Sequence, residues 1–134
     1  MDFAAALSQV EIFSGLTADA LATLAESAQT LTLASGEALY TEGEPPRHLY
    51  VLIHGRLQVT ARGKLLGHVN RHELVGEMGV VAAEARSASI RALRDCLLLS
   101  IPASAFMIFM RSQPDCLVQL TRLVIARGRQ YQTL

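Results

Sequence analysis

The residues best suited to chemistry in this 134-residue chain lie in one stretch, Gly76 to Ser89. Gly76 permits close approach of its backbone to another group. Glu77 opens a short helical turn expected over Met78–Val81, and the free N–H groups at such an end favour an anion. As an acceptor-only carboxylate, Glu77 suits a pair of hydroxyls. Arg86 is a planar donor fork matched to phosphate. Ser87 adds a hydroxyl and a backbone N–H. One acid for a diol, one base for a phosphate and one helix N-terminus describe a sugar-phosphate site. Residue types alone leave a second reading open, a surface Glu and Arg flanking a loop.

A metal site is the other chemistry to weigh. His68 and His72 are four apart, with Glu73 and Glu77 near them. On a helix that spacing could chelate. Leu65–Val69 reads as strand, however, where the two rings need not converge. Among Ser87, Ser89 and the four histidines no nucleophile, base and orienting group come together. The expectation is a non-enzymatic binding protein with no metal or cofactor, a metal-binding cupin-like enzyme being the minor alternative.

The elements that must position these residues follow from periodicity. Thr17 can cap a helix that puts Leu21, Leu24, Ala25 and Ala28 on one face. A shorter helical piece is expected around Phe3–Val10, with a turn at Phe13–Leu16. From Leu31 the period becomes two. Short strands are expected at Ala38–Thr41, Leu49–Ile53, Leu57–Thr60, Leu65–Val69, Ser87–Arg91 and Cys96–Ile101, punctuated by Gly36, Gly43, Gly55 and Gly63. Such spacing indicates a sandwich or barrel. Pro102 suits the first turn of a helix to about Arg111, and Pro114 starts a longer one. The chain thus reads as one domain: helical over 1–29, a β-barrel over 30–101 and helices over 102–134.

Composition narrows the class. A hydrophobic share of 51% and zero net charge exclude a disordered chain. Residues 1–46 hold seven acids and no Lys or Arg, and residues 47–134 hold all twelve bases. Those bases are scattered along the chain, so nucleic-acid binding is not expected. The most apolar stretch, Leu97–Met110, is too short and too interrupted to span a membrane. Asp2 stands where a secretory signal carries positive charge. Cys96 and Cys116 form no CxxC pair and read as reduced thiols of a cytoplasmic protein.

The order of motifs resembles the cyclic nucleotide-binding domain, the jelly-roll module of the catabolite activator protein and of kinase regulatory subunits. Leu33-x-x-Gly36-Glu37-x-Leu39 fits its first hairpin. Gly43-Glu44, then Leu49-Tyr50-Val51-Leu52 with Gly55, Leu57 and Val59, fits the next strands. Gly76-Glu77-Met78-Gly79-Val80 and Arg86-Ser87-Ala88-Ser89-Ile90 fit the phosphate-binding cassette, residues 76–90. The resemblance implies mainly β structure, a jelly roll with N-terminal helices and two C-terminal helices. It implies that Glu77 accepts the ribose 2′-hydroxyl and that Arg86 pairs with the cyclic phosphate. Backbone N–H groups near Gly76, Met78 and Ser87, beside Ala88, would complete the cradle. Leu66 and Val69 are candidates for the purine wall, and Tyr131 and Gln132 for a lid on the last helix.

The resemblance further implies a sensor for cAMP, favoured over cGMP, that reports to an effector in cis or in trans. The style of residues 75–79 and 91–95 is similar to the sensor ahead of bacterial patatin-like, neuropathy-target-esterase-type lipid hydrolases. The chain would then be an N-terminal fragment or a stand-alone sensor, without the helix-turn-helix of the activators. Pairing of two chains through Leu117, Leu120 and Val124 is a further expectation. Three departures stand out: Ala85 where Pro often precedes the Arg, His72-Glu73 for Gly-Asp, and Val75 for an aromatic. None removes a charged contact. The alternative is a degenerate member that keeps the fold as an interaction or dimerisation module.

Overall fold

The computed structural model describes residues 1–132, with side chains through Tyr131. Two helices open the chain, α1 (Phe3–Ser8) and α2 (Ala18–Glu26), with a 3-10 turn at Glu11–Phe13 between them. Both have side-chain caps: Asp2 accepts from Ala5 N–H and Thr17 from Ala20 N–H.

Eight strands follow: β1 (Gln29–Leu33), β2 (Ala38–Tyr40), β3 (His48–His54), β4 (Leu57–Ala61), β5 (Lys64–Val69), β6 (Leu74–Val75), β7 (Ser89–Ala92) and β8 (Cys96–Pro102). A short helix, α3 (Glu77–Ala82), interrupts them between β6 and β7. Two helices close the chain, α4 (Ala103–Arg111) and α5 (Pro114–Gln132). The strands form two antiparallel four-stranded sheets, ordered β1-β8-β3-β6 and β2-β7-β4-β5. This is the expected jelly roll, built as two separate ladders and not as one closed barrel.

Strand alternation divides the apolar residues into two cores. Leu49, Val51 and Ile53 of β3, with Leu99 and Ile101 of β8, face Leu7, Phe13, Leu24, Phe106, Met110 and Leu120 of the helical layer. Leu52 and Leu98, from the same two strands, join Leu57, Val59, Val69, Val75 and Ile90 between the sheets. The helical layer is therefore fastened to one sheet, and the second sheet is left to wall a cavity.

The strand expected from Ser87 begins at Ser89, and residues 86–88 stay out of the ladder. The cause is a rival partner. Gly43 N–H donates to the Arg86 carbonyl at 2.9 Å, and Arg86 N–H donates to the Glu44 carbonyl at 2.8 Å. The two-residue β6 is too short to show a period in the sequence. Leu120, expected on a chain-pairing face, is fully buried against the helical layer, so it cannot meet a second chain. The large apolar side chains that α5 does expose are Leu117, Val118 and Ile125. No helix among the described residues is long and apolar enough to cross a membrane.

Candidate functional site

The short helix α3 and the 86–88 stretch meet over the second sheet. Gly76, at φ 86°, adopts the left-handed conformation that turns β6 into α3. A Cβ there would lie 2.9 Å from Arg86 Nη1, and one on Gly79 would lie 3.2 Å from the same atom and from Pro46 Cβ. The two glycines therefore make room for the guanidinium of Arg86, a closer neighbour than any sequence motif implied.

Arg86 is 5% exposed. Its Nη1 donates to the Gly76 carbonyl at 2.7 Å, and its Nη2 donates to the His48 carbonyl. The guanidinium carbon sits 4.0 Å from the centroid of the Tyr40 ring. Its Nε is buried and meets no acceptor among the described residues. No carboxylate of the described residues stands within ion-pair distance of it; their ion pairs belong to Arg127. Burial pushes the Tyr40 phenol well above its ordinary pKa, with Arg86 working the other way, so this ring stays neutral.

Glu77 is 2% exposed, which is rare for a carboxylate that lacks a partner. The partner is Arg127 of α5. Arg127 Nη1 donates to Glu77 Oε1 at 2.5 Å and to the Leu74 carbonyl at 2.6 Å. Its Nη2 lies 3.7 Å from Glu73 Oε2. Burial opposes the charge on Arg127, yet Glu77, followed by Tyr131 and Glu73, outweighs it and holds the guanidinium above its ordinary pKa.

These groups border a narrow cleft whose cavity volume is about 40 Å³, far below the roughly 300–1,000 Å³ of a typical small-molecule site. Of the residues singled out in the sequence, Gly76, Glu77, Met78, Arg86, Ser87, Ala88, Val69 and Tyr131 line it. Tyr131 also lies against β5 at Gly67, so α5 arches over the cleft. Leu66 does not line the cavity. The ladder steps from Val59↔Gly67 to Thr60↔Leu65, which makes Leu66 the extra residue of a bulge. It packs instead at the margin of the core between the sheets. Gln132 ends α5, and its side chain lies outside the described residues.

The wall also contains residues that the sequence does not assign to the site: Tyr40 and Arg127, together with Val59, Val75, and Gly79 and Ile90 of the cassette. A signal for Arg127 was present. It stands four positions before Tyr131, so the two share a helix face. For Tyr40 there was none, since β2 shows too little alternation. His68 lies on β5 and His72 in the following turn at φ 68°. No group of three or more His, Cys, Asp or Glu among the described residues could hold a metal ion.

The chemical content is a buried cation beside a carboxylate, both facing a cleft with aliphatic walls. Comparison with known proteins agrees with that content. The lysophospholipase NTE1 of Cryptococcus neoformans var. neoformans is 33% identical over 102 residues, which cover 73% of this chain and 6% of that protein. An uncharacterised NTE family protein of Mycobacterium tuberculosis is 30% identical over 114 residues, covering 84% of this chain and 20% of that one. The chain thus spans a small part of these relatives. The solved structure of cAMP-bound PfPKA-R superposes with a TM-score of 0.89 at 20% identity, over 98% of this chain and 45% of that one. The family model for the cyclic nucleotide-binding domain matches residues 30–113, from β1 through α4, which hold every cavity residue named above except Arg127 and Tyr131 of α5. On that match, over more than half of its length, the chain belongs to the cyclic nucleotide-binding domain family.

Proposed function

We propose that residues 1–134 form one regulatory domain that binds a cyclic purine nucleotide, cAMP in preference to cGMP. The observation that carries this reading is the charge count of the cavity. Glu77 is neutralised by Arg127, whereas Arg86 is buried with no carboxylate partner among the described residues. A buried, unpaired charge is costly, so the site favours an anion. One net positive charge matches a cyclic phosphodiester, which carries one negative charge, better than a 5′-monophosphate, which carries nearly two at neutral pH.

Within this reading, Arg86 receives the cyclic phosphate, and Glu77 offers its carboxylate to the ribose 2′-hydroxyl. Val69, Val59 and Tyr131 supply the apolar contact for the purine. Binding then stabilises the pose of α5 over the cleft. The printed names of the relatives, lysophospholipase and NTE family protein, support an effector of lipid-hydrolase type in a longer protein. The domain itself senses and does not catalyse. Its two buried thiols, Cys96 and Cys116, suit a reducing, cytoplasmic setting.

Calorimetry with cAMP, cGMP and 5′-AMP side by side tests the proposal. The expected order is cAMP, then cGMP, with 5′-AMP weakest. Equal affinity for cAMP and 5′-AMP would remove the charge argument, and binding of neither cyclic nucleotide would remove the function.

A further inference from the structure

Strand β2 and the turn after it form a mount for Arg86. The two backbone hydrogen bonds to Gly43 and Glu44 determine where the side chain starts. At the far end, Nη1 and Nη2 donate to the carbonyls of Gly76 and His48. Both bonds run along one edge of the guanidinium. They locate that edge, but a plate held by one edge can still tilt.

The Tyr40 ring removes the tilt. Its centroid is 4.0 Å from the guanidinium carbon, well inside the range of a cation–π contact. Tyr40 is itself held. It stacks on Tyr50 with centroids 6.4 Å apart and planes at 29°, and Tyr50 meets the His48 ring at 6.2 Å. The β2–β7 register shifts between Ala38 and Tyr40, an irregularity of the kind that re-aims a side chain. With one edge and one face occupied, Nε is the buried donor for which the described residues provide no acceptor.

We infer that Tyr40 is a positioning residue of the phosphate subsite. Its ring sets the tilt of the Arg86 guanidinium and thereby presents the Nε–H to one of the two non-bridging oxygens of a cyclic phosphodiester. This rests on the cyclic-nucleotide reading above. What it adds is the residue that sets the guanidinium's orientation: Tyr40 touches Arg86 through its ring and acts on the ligand only through it.

The two diastereomeric phosphorothioate analogues of cAMP read this orientation, because each replaces a different non-bridging oxygen with sulfur. Affinities are measured for the parent, Tyr40→Phe and Tyr40→Leu. Tyr40→Met serves as a second non-aromatic variant should Tyr40→Leu not fold. Tyr40→Phe keeps the ring face and is expected to keep the diastereomer preference, with cAMP affinity within about threefold of the parent. The non-aromatic variants lose roughly tenfold to thirtyfold in cAMP affinity, the scale of a desolvated cation–π contact. Their preference between the diastereomers shrinks towards one. A merely structural role weakens both analogues equally and leaves the ratio alone.

The Arg86 side-chain Hε resonance gives a readout that needs no nucleotide. A ring current from Tyr40 shifts it in the parent and in Tyr40→Phe, and the shift disappears in Tyr40→Leu. Normal parent binding with an unchanged diastereomer ratio in the non-aromatic variants overturns this inference alone. A parent that binds neither cAMP nor either analogue overturns the nucleotide reading and this inference with it.

Discussion

Arg127 Nη1 lies 2.5 Å from Glu77 Oε1, across fifty positions of chain, and joins the last helix to the cassette. The contact links the group proposed to hold ribose with the element proposed to move. Any change at Glu77 is therefore felt in α5, and any displacement of α5 uncovers a buried carboxylate.

Arg127→Leu should destabilise the fold by about 3–5 kcal/mol, because it leaves a buried charge without its partner. Replacing both members, Arg127→Met with Glu77→Leu, should recover most of that loss, since apolar pairs of similar volume often substitute for buried ion pairs. The double variant should still fail to bind cAMP. Thermal unfolding and calorimetry on the three proteins check both halves. A double variant no more stable than Arg127→Leu contradicts the pairing argument.

Arg86→Ala should nearly abolish cyclic nucleotide binding, a loss on the order of 2–5 kcal/mol, since the phosphate is then buried without its partner. Arg86→Lys should rescue little. An ammonium cannot reach the Gly76 and His48 carbonyls as a fork and still offer a donor to phosphate. Parent-like binding by both variants would place the phosphate elsewhere.

Glu77→Gln should weaken binding less than Arg86→Ala does, by roughly 1.5–3 kcal/mol, the value of a hydrogen bond to a charged group. The 2′-deoxy nucleotide should lose a similar amount on the parent and little more on the variant. Two losses that simply add in this cycle would show that Glu77 does not contact the ribose.

Hydrogen exchange should slow in Gly76–Ser89 on addition of saturating cAMP, and also in the last two turns of α5. Ligand can shift an element only through contacts that differ between its states. The end of α5 makes such contacts through Arg127 and Tyr131, which both line the cavity. Truncation after Arg127 should weaken binding modestly and leave the fold intact. Unchanged exchange at the end of α5 would rule out a lid while leaving the binding assignment in place.

Stability should fall in mild alkali, starting near pH 9. Burial pushes the Cys116 thiol from 9.0 to about 11, and its S–H donates to the Ile12 carbonyl at 3.1 Å. Below pH 9 both folded and unfolded chains keep this proton, so the full stability is present. As pH rises from 9 through 11 the unfolded chain loses the proton first, and stability drops. Tyr40, Tyr50 and Tyr131, each raised above 10.0 by burial, extend the loss beyond pH 10. Denaturant midpoints between pH 7 and 11 follow the effect, and Cys116→Ala should remove the part that begins at 9.

The readable portions of this protein were those whose signal is local. The helix cap at Thr17, the glycine turns and the two-residue period of β1 and β4 depend on neighbours a few positions away. The cassette motifs, Gly76-Glu77 and Arg86-Ser87-Ala88, keep their spacing because α3 and the following turn are short. Tyr40 and Arg127 were not readable in this way. Their roles depend on contacts 46 and 50 positions distant, Tyr40 with Arg86 and Arg127 with Glu77. The same holds for Leu66, which a bulge in the β4–β5 ladder removed from the wall assigned to it. Sequence patterning selects the face a residue turns to, but which charges meet across the cleft depends on how α5 and the second sheet pack. That packing made a buried pair of Glu77 and Arg127 and left Arg86 buried without a carboxylate among the described residues.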